Sequence, residues 1–139
     1  SAQSRSSAAS DVYKRQVQTA HAQLDSKVRA HMERLKGNYN LGILSNAGNT
    51  TRALLEGQYH LHELVDDIVI SAEEGLVKPE PEIYQLSARR LGTEPERCVF
   101  VDDLPENIQA AESLGMRGVL FTDAESSLAL LDALLAQGD

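Results

Sequence analysis

The chain has one cysteine, Cys98, no tryptophan, and only two phenylalanines and four tyrosines in 139 residues. A single cysteine excludes an intramolecular disulfide framework and suits a reducing, cytoplasmic setting. So few aromatics leave no stacking platform for nucleic-acid bases. Basic residues are also short: 13 Lys plus Arg face 21 Asp plus Glu, a net charge of −8. That balance argues against nucleic acid as the main partner. It does not exclude an anionic substrate, because a bound cation reverses the local field. No run approaches the roughly 20 apolar residues of a membrane span. The opening 16 residues have no apolar core of a secretory signal. With 42% hydrophobic residues, the length is that of one ordinary domain able to bury a core.

Residues 1–16, SAQSRSSAASDVYKRQ, carry neither helical nor strand periodicity and read as a disordered or non-native tail. The stretch SAASDVYKRQ resembles translated adaptor sequence; a flexible natural tail is the alternative. From Val17 the pattern turns helical, with Ala20, Leu24, Val28, His31, Met32 and Leu35 near a 3.6-residue period, until Gly37-Asn38. Leu41–Ser45 is then expected as a buried strand. Asn49 and Thr50 should cap a helix over 51–59. A strand is expected at Ile68–Ile70 and a turn at Glu73-Glu74-Gly75. Pro81 should open a helix to about Leu91, closed by Gly92. Cys98–Val101 should be a strand, Pro105 to about Gly115 a helix, Val119–Phe121 a strand and Ser126–Ala136 the last helix. Alternating strands and helices imply βαβ units and a parallel sheet with helices on both faces, an α/β Rossmann-like three-layer fold.

Ligands of such sheets bind beyond the carboxyl ends of the strands. The residues there are Ser45-Asn46, Lys78 downstream of the second strand, Asp102-Asp103 and Thr122-Asp123. Short donors near a helix start suit an anion. A lysine supplies a point charge for phosphate or carboxylate, and Pro79 biases its backbone to an extended conformation. Asp102-Asp103 offers hard oxygens for Mg²⁺, and two adjacent carboxylates call for a cation or for Lys78 to relieve their repulsion. Taken singly, an Asp-Asp before a helix is a cap, a Ser-Asn after a strand is a turn, and a loop lysine is solvated. Their joint occurrence at one sheet edge points to a site.

The stretches LGILSNAGNT, GLVKPEPEIY and VFVDDLPENIQAAESLGM resemble motifs two, three and four of the haloacid dehalogenase-like hydrolases, closest to the subfamily with a small helical cap. The resemblance implies that Ser45 hydrogen-bonds a transferred phosphoryl group, with Asn46 beside it contacting substrate. It implies that Lys78 neutralises the phosphoenzyme and orders the carboxylates. Asp103 would be a direct Mg²⁺ ligand and Asp102 its partner through water or Lys78. Asn107 stands where many members have a second acid. Residues 17–40 would be the end of the cap and its return helix, and 41–139 the core.

The family nucleophile, the first Asp of a D-x-D motif, has no counterpart: Asp11-Val12-Tyr13 and Asp25-Ser26-Lys27 both lack the second Asp. The chain is therefore expected to be a fragment missing its central first strand, with an open slot or a closure between the strands that flank it, and to be inactive alone. The implied activity of the parent is a Mg²⁺-dependent phosphatase acting on a small phosphorylated metabolite through an aspartyl-phosphate, as a monomer or weak homodimer. A 2-haloacid dehalogenase is the enzymatic alternative, disfavoured by the Asp pair. A phospho-receiver domain would need its motifs permuted, and a non-catalytic binding module is the last option. Cys98, His60 and His62, and the Leu128, Leu131, Leu134 and Leu135 face are expected to be core, surface and sheet packing respectively.

Overall fold

A computed structural model of the chain describes residues 26–137. The expected tail and the first part of the helix from Val17 lie outside them. In chain order the elements are α1 (Ser26–Leu35), β1 (Gly42–Ser45), α2 (Thr51–Gly57), β2 (Asp67–Ile70), α3 (Ser71–Glu74), α4 (Pro81–Arg90), β3 (Val99–Asp102), α5 (Pro105–Ser113), β4 (Arg117–Leu120) and α6 (Ala124–Ala136). Single 3₁₀ turns occupy Leu61–Glu63 and Pro95–Arg97.

Four parallel strands form two pairs. β1 runs beside β2, from Gly42 opposite Asp67 to Ser45 opposite Ile70. β3 runs beside β4, from Val99 opposite Arg117 to Asp102 opposite Leu120. Among the described residues no strand lies between β1 and β3, and the two do not pair with each other. Every residue of β1 and β3 is buried, as short apolar runs covered on both faces should be. One core joins both pairs, with Tyr84 of α4 edge-on to Phe100 of β3 at 5.1 Å between centroids, a favoured aromatic geometry.

Pro81 and Pro105 stand at the first turns of α4 and α5, where a missing N–H costs nothing. Gly92 and Gly115 follow those helices in the left-handed region, at φ 77° and 96°, which glycine enters without a Cβ penalty.

Four expectations need correction. Thr50 takes the N-cap position of α2, but in helical conformation and without a side-chain cap bond. The turn at Glu73–Gly75 is the end of a one-turn helix, α3, whose C-cap Gly75 donates to Ser71 O at 3.0 Å. β4 begins two residues early, at Arg117-Gly118. A Cβ on Gly118 would lie 2.7 Å from Ile108 Cγ2, so α5 packs directly on this backbone and packing overrides weak strand propensity. The last helix begins at Ala124, because Asp123 caps it.

Asp123 accepts from Ser126 N at 2.8 Å and Ser126 Oγ at 2.5 Å. These bonds, the hydroxyl first, hold its carboxyl below the usual range. A depressed folded-state value gives stability that is present above the unfolded value of about 3.9 and lost as pH falls through the folded one. Asp123→Ala should therefore lower the thermal midpoint at pH 7, and the difference from the parent should shrink steadily as melts are taken below about pH 4.

Candidate active site

The strand ends β1 and β3 and the segment before α4 converge on one buried cluster. Ser45 closes β1, and its hydroxyl is buried without a hydrogen-bond partner among the described residues. An orphaned buried hydroxyl is uncommon and calls for an explanation. Asn46 follows, half-buried. Its amide oxygen accepts from Lys78 N at 2.9 Å, and its amide nitrogen donates to Lys78 O at 3.0 Å.

The Lys78 side chain is fully buried. Its Nζ donates to Leu44 O of β1 and to Asp102 Oδ2 of β3, both at 3.1 Å. It also lies 5.7 Å from the centre of the Phe100 ring, a cation–π distance. One ammonium thus ties the two strand pairs together. The Lys78–Pro79 peptide is cis.

Asp102 ends β3 with its side chain fully buried. Oδ2 accepts from Lys78 and from Asn107 Nδ2, the latter at 3.1 Å, and Oδ1 accepts from Leu104 N at 2.9 Å. Charge-assisted donors of this kind offset the desolvation of a buried carboxylate. The bond to Leu104 N lies before the helix, at its N-cap residue, and α5 has no side-chain cap bond, so the Asp-Asp pair does not serve as a cap. Asp103 is the next residue and is partly exposed, since the chain leaves the sheet here. Asn107, buried in the first turn of α5, is oriented by its own backbone: Asn107 O accepts from Tyr84 OH at 3.0 Å.

The structure brings Asn46, Lys78 and Asp102 into direct hydrogen-bonded contact. Ser45 and Asp103 adjoin that network through the chain. Thr122 and Asp123 do not join it; Thr122 N and Asp123 are both engaged at the start of α6. Tyr84 and the carbonyl of Leu44 escaped sequence reasoning, and only the polar tip of a core tyrosine hinted at the first. His60 and His62 are exposed, 3.8 and 3.9 Å from Glu63, and Cys98 is buried. Leu131 and Leu135 pack into the core.

Among the described residues no three His, Cys, Asp or Glu side chains cluster as a closed metal cage. Mg²⁺ does not need one: it keeps several waters and takes one or two carboxylates plus phosphate oxygens. The partly exposed Asp103, which follows Asp102 at the end of β3, has the chemistry for that open arrangement. Asp102, bonded through both oxygens, fits as the group that holds Lys78.

A family model, haloacid dehalogenase-like hydrolase, matches residues 2–115. The chain belongs to this family. The matched span runs through residues 2–16 as well. Phosphatase MT3486 of Mycobacterium tuberculosis is 37% identical over 82 residues, 58% of this chain and 37% of that one. A HAD phosphatase from Thermococcus onnurineus superposes with a TM-score of 0.73 at 25% identity, covering 81% of this chain and 58% of that one. A HAD enzyme from Bacteroides thetaiotaomicron, an Asp-to-Ala mutant solved with magnesium and inorganic phosphate, shares the fold at TM-score 0.65 and 21% identity, over 71% of this chain and 54% of that one. The chain spans 6%, 19% and 37% of the length of three curated relatives it matches.

Proposed function

We propose that this hydrolase chain is the phosphate- and Mg²⁺-binding part of a phosphatase for a small phosphorylated metabolite. The observation that carries the reading is the Ser45 hydroxyl, buried without a partner among the described residues at the end of the strand whose Leu44 carbonyl takes the Lys78 ammonium. A phosphoryl oxygen is the acceptor such a donor lacks. Phosphoryl transfer requires mostly positioning and charge neutralisation, and these residues supply both. Ser45 donates to the phosphoryl group, Lys78 neutralises it, and Asp102 keeps Lys78 in place. Mg²⁺, held at Asp103, would supply a further positive charge against the phosphate. Residues 17–40 are read as the return from a cap, and 41–139 as the core. No D-x-D occurs in the 139 residues, so turnover through an aspartyl-phosphate is expected only where that aspartate is supplied. Cytoplasmic residence is part of the same reading; among the described residues no helix is long and apolar enough to cross a membrane.

The test separates binding from folding. Ser45→Ala removes a desolvated, unsatisfied group, so stability in urea should stay level or rise by up to about 1 kcal/mol. Calorimetric affinity for inorganic phosphate, with Mg²⁺ present, should fall roughly tenfold for one charge-assisted bond. Lower stability with unchanged phosphate affinity would show that the hydroxyl serves the fold instead.

A further inference from the structure

Beyond Ser45 and Ile70 the β1·β2 ladder stops, because α3 turns away at Ser71. Two side chains continue the connection. The Ser71 hydroxyl accepts from Ala47 N at 2.9 Å and donates to Ala47 O at 3.1 Å. Ala72 N reaches the same carbonyl at 3.2 Å. Asn46 makes the second reciprocal pair, with the backbone N–H and C=O of Lys78. Consecutive loop residues 46 and 47 are thus tied to positions 78 and 71. An amide that meets an N–H with its oxygen and a C=O with its nitrogen has its plane and its flip fixed. A hydroxyl that donates and accepts at one residue is likewise fixed.

We infer that Asn46 and Ser71 are positioning residues, which lock the loop after β1 to the 71–78 segment and thereby hold the end of β1 that carries Ser45 in a fixed position relative to Lys78. This deepens the phosphatase reading and rests on it for the meaning of that pair. Asn46 acts on Lys78, through its backbone, and not on substrate. Ser71 acts on the same unit from the opposite end of α3. Preorganised donors gain their effect from being held before the ligand arrives, and a loop tied at two points holds them so.

Lysine labelling tests this without turnover. The chain has four lysines; Lys27 and Lys36 are exposed and serve as internal standards, whereas Lys78 is buried. Reductive methylation of the 139-residue protein, read by peptide mass spectrometry, gives the protection of Lys78. Asn46→Ala should raise its rate roughly tenfold, as expected for losing two ordinary hydrogen bonds at a half-buried site. Ser71→Ala should raise it by several-fold, and Ser71→Thr, which keeps the hydroxyl, should restore protection. Asn46→Asp keeps the acceptor for Lys78 N and loses the donor, so it should fall between. Affinity for inorganic phosphate should drop in Ser71→Ala as well as in Asn46→Ala. Unchanged Lys78 labelling in both alanine variants, with phosphate affinity lost in Asn46→Ala alone, would overturn the proposal and make Asn46 a direct phosphate contact. Should Asn46→Ala not fold, the Ser71→Ala and Ser71→Thr pair decides. If the parent binds no phosphate, the phosphatase reading fails, while the labelling result still decides the positioning role.

Discussion

Lys78→Met should cost about 3–5 kcal/mol of folding stability, the range for removing one partner of a buried ion pair. Methionine matches the stem in shape and fills the space, so the loss reports the charge. Without the ammonium, the Asp102 carboxylate stays buried and loses the cation 3.1 Å from Oδ2, while Asn107 Nδ2 and Leu104 N still donate to it. Leu44 O loses a donor too. The link between β1 and β3 that Lys78 provides is then gone. Urea denaturation of the two proteins measures the difference. A second variant makes the cause explicit. In Lys78→Met combined with Asp102→Leu, no unpaired charge remains, and buried pairs replaced by apolar groups are often neutral in stability. Most of the lost stability should return, while phosphate binding should not. A loss below about 1 kcal/mol in the single variant would mean that solvent already reaches the pair.

Asn107→Asp should be the second most damaging change. It replaces a neutral donor, 3.1 Å from Asp102 Oδ2, with an acceptor carrying the same charge as Asp102. Both positions are buried, so the repulsion is poorly screened and two carboxylates must share the Lys78 ammonium. The expected cost is about 2–4 kcal/mol at neutral pH. Divalent cations relieve such repulsion by binding between carboxylates. The thermal midpoint of Asn107→Asp should accordingly rise with added Mg²⁺ by clearly more than that of the parent chain. Equal midpoints for the two proteins without Mg²⁺ would show that residue 107 does not face Asp102 in solution.

Much of this arrangement was legible in the sequence because it rests on local signals. The apolar runs LGILS, IVI and CVFV mark three of the four strands, and the proline and glycine pairs around α4 and α5 mark two helices. The charge logic of Asp102-Asp103 required a cation, and Lys78 is paired with Asp102 in the structure. What stayed hidden depends on residues far apart in sequence. Nothing local says that the Asn46 amide meets a backbone 32 residues away, or that Asn107 gives its amide to Asp102 while its carbonyl takes the Tyr84 hydroxyl. Arg117-Gly118 did not read as a strand, since its place is set by β3 and by the close approach of α5. Thr122-Asp123 sits at a strand end like the site residues, yet a serine three positions on turns it into a helix cap. Position at the sheet edge is therefore necessary for membership of the site and not sufficient.

The central claim is that Ser45, Lys78 and Asp103 form one Mg²⁺-dependent phosphate site. Calorimetric titration of inorganic phosphate into the 139-residue chain, with and without Mg²⁺, tests it most directly, alongside Asp103→Asn, which removes the charge and preserves the shape. The account predicts phosphate binding that strengthens at least about tenfold with Mg²⁺ in the parent and shows no Mg²⁺ dependence in Asp103→Asn. The same Mg²⁺ dependence in both proteins, or no phosphate binding in the parent, would contradict it.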